Sequence, residues 1–213
     1  MSACDGCAAD CCRKFDVVVS GWDVYRLGRD LELPLDRFVA LDGAGAPDES
    51  HQLVLDAAAP DRRYHRLQLK KRAGACTFLV DAGGIGRCGV YASRPAACRA
   101  YPAASSEEPL QLTRREHCPP GAWDGLDAAL YRGRYQFGQR QRAIFDVVTD
   151  GWHERVLRRS ESRAPEELFA WLVATYRTLE RAAPAWFDDK PLLLEEDEVV
   201  GVVRETLCSS GWL

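Results

Sequence analysis

Four of the nine cysteines fall within the first twelve residues, in the run CDGCAADCC that carries Cys4, Cys7, Cys11 and Cys12. A thiol cluster in an otherwise polar stretch has no core of its own to pack into, so its chemistry is metal ligation or redox exchange. Cys4 and Cys7 form a C-x-x-C turn whose two sulfurs can grip one ion. Gly6 between them has no Cβ, which lets the backbone turn tightly and aim N–H groups at a sulfur. Cys11 and Cys12 are adjacent, and in an extended backbone adjacent side chains point to opposite sides. On that geometry they do not share an ion: one serves a second site, bridges two ions, or packs.

Four more cysteines follow at Cys76, Cys88, Cys98 and Cys118, separated by 12, 10 and 20 residues. No four of the eight match a zinc ribbon by local spacing, so any shared site has to be assembled by folding the N-terminal arm against the middle of the chain. Four thiolates around Zn²⁺ or around a [4Fe–4S]²⁺ core leave a formal net charge of about −2, which calls for donors or cations close by. Arg13, Lys14, Arg87, Arg94 and Arg99 all flank cysteines. Cys208, far along the chain, reads as a non-ligand, and His117 beside Cys118 as an exposed polar neighbour.

The chain has 213 residues, enough to bury a core without covalent staples. The cysteines are therefore not needed to hold a miniature fold together. A net charge of −4 argues against a nucleic-acid partner, which favours a basic surface. No stretch approaches the ~18 apolar residues of a membrane span, and the first residues lack the apolar core of a signal peptide. The expectation is a cytoplasmic protein without a membrane or nucleic-acid partner, in a compartment where clustered cysteines serve as metal ligands or redox thiols.

The hydrophobic pattern predicts an α+β fold: a small cysteine-rich metal-binding domain of short strands and helices over residues 1–122, then a helical region over 123–213. Phe15–Ser20 reads as a short strand, and Ser20 with Asp23 as a capping box opening a helix that carries Trp22, Tyr25 and Leu31. Residues 42–50 read as a loop. Gln52–Leu55, Tyr64–Leu69 and Thr77–Asp81 read as strands, and Ala82–Arg87 as a glycine turn. Beyond residue 126, Leu130, Phe137, Ile144 and Val148 recur at helical spacing. Leu168, Trp171, Leu172, Tyr176 and Leu179 form a second stripe behind Pro165. A last helix is expected over about Glu195–Leu207, with Val199, Val203 and Leu207 on one face.

The ordered pattern of Cys4, Cys7, Cys11 and Cys12, then Cys76-Thr77-Phe78-Leu79, then Cys88-Gly89-Val90-Tyr91 through Arg94-Pro95, Cys98-Arg99 and Tyr101-Pro102 resembles the bacterial YkgJ-type cysteine-cluster proteins. These are also called the CxxCxxCC, or zinc- or iron-chelating, domain. The resemblance covers residues 4–118 and is most specific over 88–102. It implies chelation of Zn²⁺ or iron, including an iron–sulfur cluster, with Cys4, Cys7, Cys11, Cys12, Cys76, Cys88, Cys98 and Cys118 as metal ligands. A distant similarity to flagellin lysine N-methylases implies an iron–sulfur enzyme as the alternative, although the chain shows no glycine-rich methyl-donor fingerprint. A third reading is a metal-dependent interaction or chaperone module that meets a protein partner through the helical region. No catalytic residue is assigned.

Overall fold

In the computed structural model, residues 9–45, 52–56, 64–113, 117–159, 162–188 and 196–211 are described. Cys4, Gly6, Cys7 and Glu195, all named above, lie outside them. The architecture is mixed α+β, with short antiparallel strands in the first half and long helices in the second.

Helix α1 (Asp10–Lys14) is a single short turn, entered through Ala9 in the left-handed region. The chain then runs extended rather than as a full strand. Val18 makes one bridge to Gln68, and Val19 N–H donates to the Leu67 carbonyl at 2.9 Å. Helix α2 (Gly21–Leu31) opens on the expected capping box, with Ser20 Oγ accepting from Asp23 N–H at 3.2 Å.

Strands β1 (Val39–Gly45), β2 (Leu53–Val54) and β3 (Tyr64–Leu69) form one sheet with β3 in the centre. β1 takes in residues 42–45 of the segment read as a loop, because its ladder with β3 continues past Asp42 through an irregularity to Gly45. The outer edge of β2 is covered by side chains instead of a strand. Trp152 Nε1 donates to the Val54 carbonyl at 2.8 Å, and Val54 N–H donates to His153 Nε2 at 3.3 Å. Unpaired edge groups are thereby satisfied.

Two small hairpins follow. β4 (Lys71–Arg72) pairs with β5 (Ala75–Cys76), and β6 (Leu79–Ala82) pairs with β7 (Ile85–Cys88). Each closes through two residues with positive φ, Ala73-Gly74 in the first and Gly83-Gly84 in the second. This is the signature of the two-residue turn that matches strand twist. The second hairpin turns on the glycines expected, but its strands reach further into the turn than Thr77–Asp81 and Ala82–Arg87 implied, since Ile85 already pairs with Ala82.

Helix α3 (Ala96–Ala100) starts directly after Pro95. Then come α4 (Ala128–Arg159), α5 (Pro165–Ala182), a 3₁₀ turn at Pro184–Phe187 and α6 (Glu196–Ser209). The α5 stripe is buried as read, and so are Val199, Val203 and Leu207 of α6. On α4, Phe137, Ile144 and Val148 are buried, but Leu130 is 47% exposed: the first turn of the helix runs beyond the core. One apolar cluster takes in Trp22, Leu27, Phe38 and Leu67 from the first half and Ile144, Trp152, Leu172 and Tyr176 from the second. Trp22 sits against Phe187 at a ring separation of 4.3 Å, and Trp152 against Trp171 at 5.4 Å. No helix among the described residues is long and apolar enough to cross a membrane.

Candidate metal centre

Five thiols come from four separate elements: Cys11 and Cys12 from α1, Cys76 from β5, Cys88 from β7 and Cys98 from α3. The tight turns explain how they arrive. The Ala73-Gly74 turn brings Cys76 back beside Lys71, and the Gly83-Gly84 turn brings Cys88 opposite Leu79. Gly89 N–H donates to the Phe78 carbonyl at 2.8 Å and locks the second hairpin onto the Cys76-Thr77-Phe78 turn. Gly89 thus serves the backbone there. One N–H that does reach a sulfur nearby is that of Phe78, onto Cys76.

The adjacent pair corrects the extended-backbone argument. Cys11 and Cys12 lie within a helical turn, where successive side chains diverge by about 100° and not by a half-turn. Their side chains hydrogen-bond to each other. That bond draws the ionisation of Cys11 down, because a thiolate there accepts from Cys12, with the charge of Arg94 helping further. The same bond pushes Cys12 up, and burial adds to it. The two can therefore present sulfurs to a common ion, which an extended chain would prevent.

The other thiols feel this pair. Burial raises Cys76, and the charge of Cys11 raises it further. Burial likewise raises Cys98 strongly, followed by the charges of Cys76, Asp23, Cys88 and Cys11. These groups are mutually coupled through their charges, so ionising them together needs a cation. Among the described residues, however, no three His, Cys, Asp or Glu side chains stand at the spacing of a ligand shell. The donor chemistry fits a thiophilic ion; the spacing would have to close around it.

Cys118 has different company. Its sulfur lies 3.4 Å from the Tyr101 hydroxyl. Around it Tyr101 meets Trp123 edge-on at 6.1 Å, and Phe15 meets His117 at 5.1 Å and Tyr101 at 5.8 Å. His117 is thus a half-buried ring in an aromatic group rather than an exposed neighbour. Cys208 is exposed on α6.

Two side chains of α2, Asp23, read from the sequence as part of the capping box, and Arg26, which the sequence did not single out, hold the Cys98 segment in place. Asp23 is 2% exposed. Its Oδ2 accepts from Ser20 N–H at 3.1 Å and Ser20 Oγ at 3.0 Å, and its Oδ1 accepts from Ala96 N–H, at the start of α3, at 2.9 Å. One turn later, Arg26 donates to the carbonyls of Ser93 and Arg94, and burial lowers its pKa. The i, i+3 spacing of an acid and an arginine on α2 was the available signal, but nothing local says that both reach a segment some 70 residues away.

The flanking cations divide by role. Arg13 of α1 ion-pairs with Asp81 of β6, tying the N-terminal arm to the second hairpin, and Lys14 pairs with Asp10 at 2.8 Å. Arg94 stacks over the Tyr91 ring at 3.7 Å. Arg99 lies over Phe137 at 5.7 Å, and burial first, then the nearby Arg26, Arg134 and Arg94, lower its pKa to about 10. Arg13 and Lys14 are thus ion-paired to carboxylates, and Arg94 is an arginine whose charge acts on a thiol, that of Cys11.

Fold and site define a mixed α+β protein whose N-terminal arm and mid-chain hairpins gather cysteines under a helical cover. The chain belongs to the CxxCxxCC family, whose model, described as "Putative zinc- or iron-chelating domain", matches residues 3–119. That description supports metal binding. No curated protein and no solved structure matches the chain.

Proposed function

We propose that the protein chelates zinc or iron through cysteine thiolates in the cytoplasm, and that the ion fastens the N-terminal arm to the middle of the chain. The observation that carries this reading is the charge-coupled convergence of Cys11, Cys12, Cys76, Cys88 and Cys98 from four elements. Cys4 and Cys7, a few residues before α1, and Cys118, which follows the aromatic group at Phe15 and Tyr101, complete the proposed donor set. When bound, the ion supplies positive charge that lets several thiols ionise together. The residues contribute the rest. Phe78 N–H donates to the Cys76 sulfur, Arg94 offsets the charge on Cys11, and Asp23 and Arg26 position Cys98.

On this reading residues 1–122 form the metal-binding part and 123–213 the helical cover. The role is structural organisation around the metal, because the apolar stripes of α5 and α6 are spent on the shared core. The test is purification without oxygen followed by metal and sulfide analysis and a visible spectrum. Zinc or iron in stoichiometric amount supports the proposal, and acid-labile sulfide identifies the iron as a cluster. Protein containing neither zinc nor iron refutes it.

A further inference from the structure

Helices α2 and α5 and the connecting segment Leu33–Leu35 line a half-open cavity of about 440 Å³. No cysteine lines it. Its size lies within the range of small-molecule sites, roughly 300–1,000 Å³. Its apolar wall is Leu33, Leu35 and Val173, and Leu33 is 42% exposed.

The charges around the cavity are unequal. Glu180 is occupied on both oxygens, by the Arg29 guanidinium and by the Tyr25 hydroxyl at 2.8 Å, and so acts as a strut from α5 to α2. Arg29 is also held by Asp30 at 2.9 Å. Arg177 and Arg181 differ: both line the cavity, and neither has an ion-pair partner among the described residues. They stand at i and i+4 on the face of α5 that also presents Val173. Like charges at that spacing repel each other, and an anion between them relieves the repulsion.

We propose that this cavity binds a small amphiphilic carboxylate, its apolar body on Leu33, Leu35 and Val173 and its carboxylate between Arg177 and Arg181. The test is calorimetric titration of the full-length, metal-replete protein with decanoate. Saturable one-to-one binding is expected, weakened at least tenfold in the Arg177→Ala/Arg181→Ala double variant and in Leu33→Asp. Decan-1-ol, which lacks the charge, should bind at least tenfold more weakly than decanoate. No saturable decanoate binding, equal binding of the alcohol, or unchanged binding in either variant overturns the proposal. The metal content of both variants should equal that of the wild type, so failure here leaves the chelation reading untouched.

Discussion

Asp23 joins the start of α2 to the start of α3, and replacing it with Ala tests how the Cys98 segment is held. The carboxylate accepts three hydrogen bonds, from Ser20 N–H, Ser20 Oγ and Ala96 N–H, at 3.1, 3.0 and 2.9 Å. In Asp23→Ala the Ser20 hydroxyl can still cap the helix through the residue-23 N–H. The buried N–H groups of Ser20 and Ala96 lose their acceptor. Each such group costs about 1–3 kcal/mol, so the two together should cost the variant about 2–6 kcal/mol. Ser20→Ala removes the cap and the hydroxyl's own bond to Asp23 but leaves both N–H groups their acceptor, and should cost about 1 kcal/mol. Asp23→Asn keeps the shape but offers one oxygen where the two N–H groups need two, and should fall between. Urea unfolding under anaerobic conditions gives all three values from the midpoint and slope. An Asp23→Ala loss below about 1 kcal/mol, or no larger than that of Ser20→Ala, would refute the argument that one carboxylate caps α2 and anchors α3 together.

Gly21 lies against the Tyr176 ring, where an added Cβ would come within 2.3 Å of Cε2. Gly21→Ala should therefore cost about 1–3 kcal/mol by overpacking, read as a lowered urea midpoint; an unchanged midpoint would show that the ring moves freely. Ala73 holds a φ of 49° in the hairpin that delivers Cys76, so Ala73→Gly should raise stability by up to about 1 kcal/mol, and a lowered midpoint would contradict the assignment. Burial depresses the pKa of His153, with Asp150 acting in the opposite sense, and the neutral ring accepts from Val54 N–H. The unfolded chain takes up that proton first, so this contribution is fully present above the unfolded-state pKa of about 6.5 and is lost as pH falls through the folded value. His153→Gln should accordingly lose less stability than the wild type between pH 7.5 and 5.5 in matched urea titrations, and identical losses would remove His153 from the account.

Much of this could be read from local pattern. The capping box at Ser20 and the apolar stripe of α5 follow helical periodicity, and both are found where read. The Gly83-Gly84 turn follows from the tolerance of glycine for positive φ. Other features have no local signal. A helix as short as α1 shows no periodicity, so Cys11 and Cys12 read as extended. β4 and β5 are two residues each and turn on an alanine, which is a weak turn former. The reach of Asp23 to Ala96 is a tertiary contact across 73 positions, and no spacing rule within α2 points to it. The elements that carry Cys76, Cys88 and Cys98 are placed by two hairpins and a carboxylate that the cysteine spacing does not reveal.

The central claim is that thiols from separate elements hold one metal centre, and metal stoichiometry in anaerobically purified Cys76→Ser and Cys98→Ser tests it most directly. Each variant should lose at least about one equivalent of zinc or iron relative to the wild type while keeping its helical circular dichroism. Unchanged metal content in both variants would contradict it.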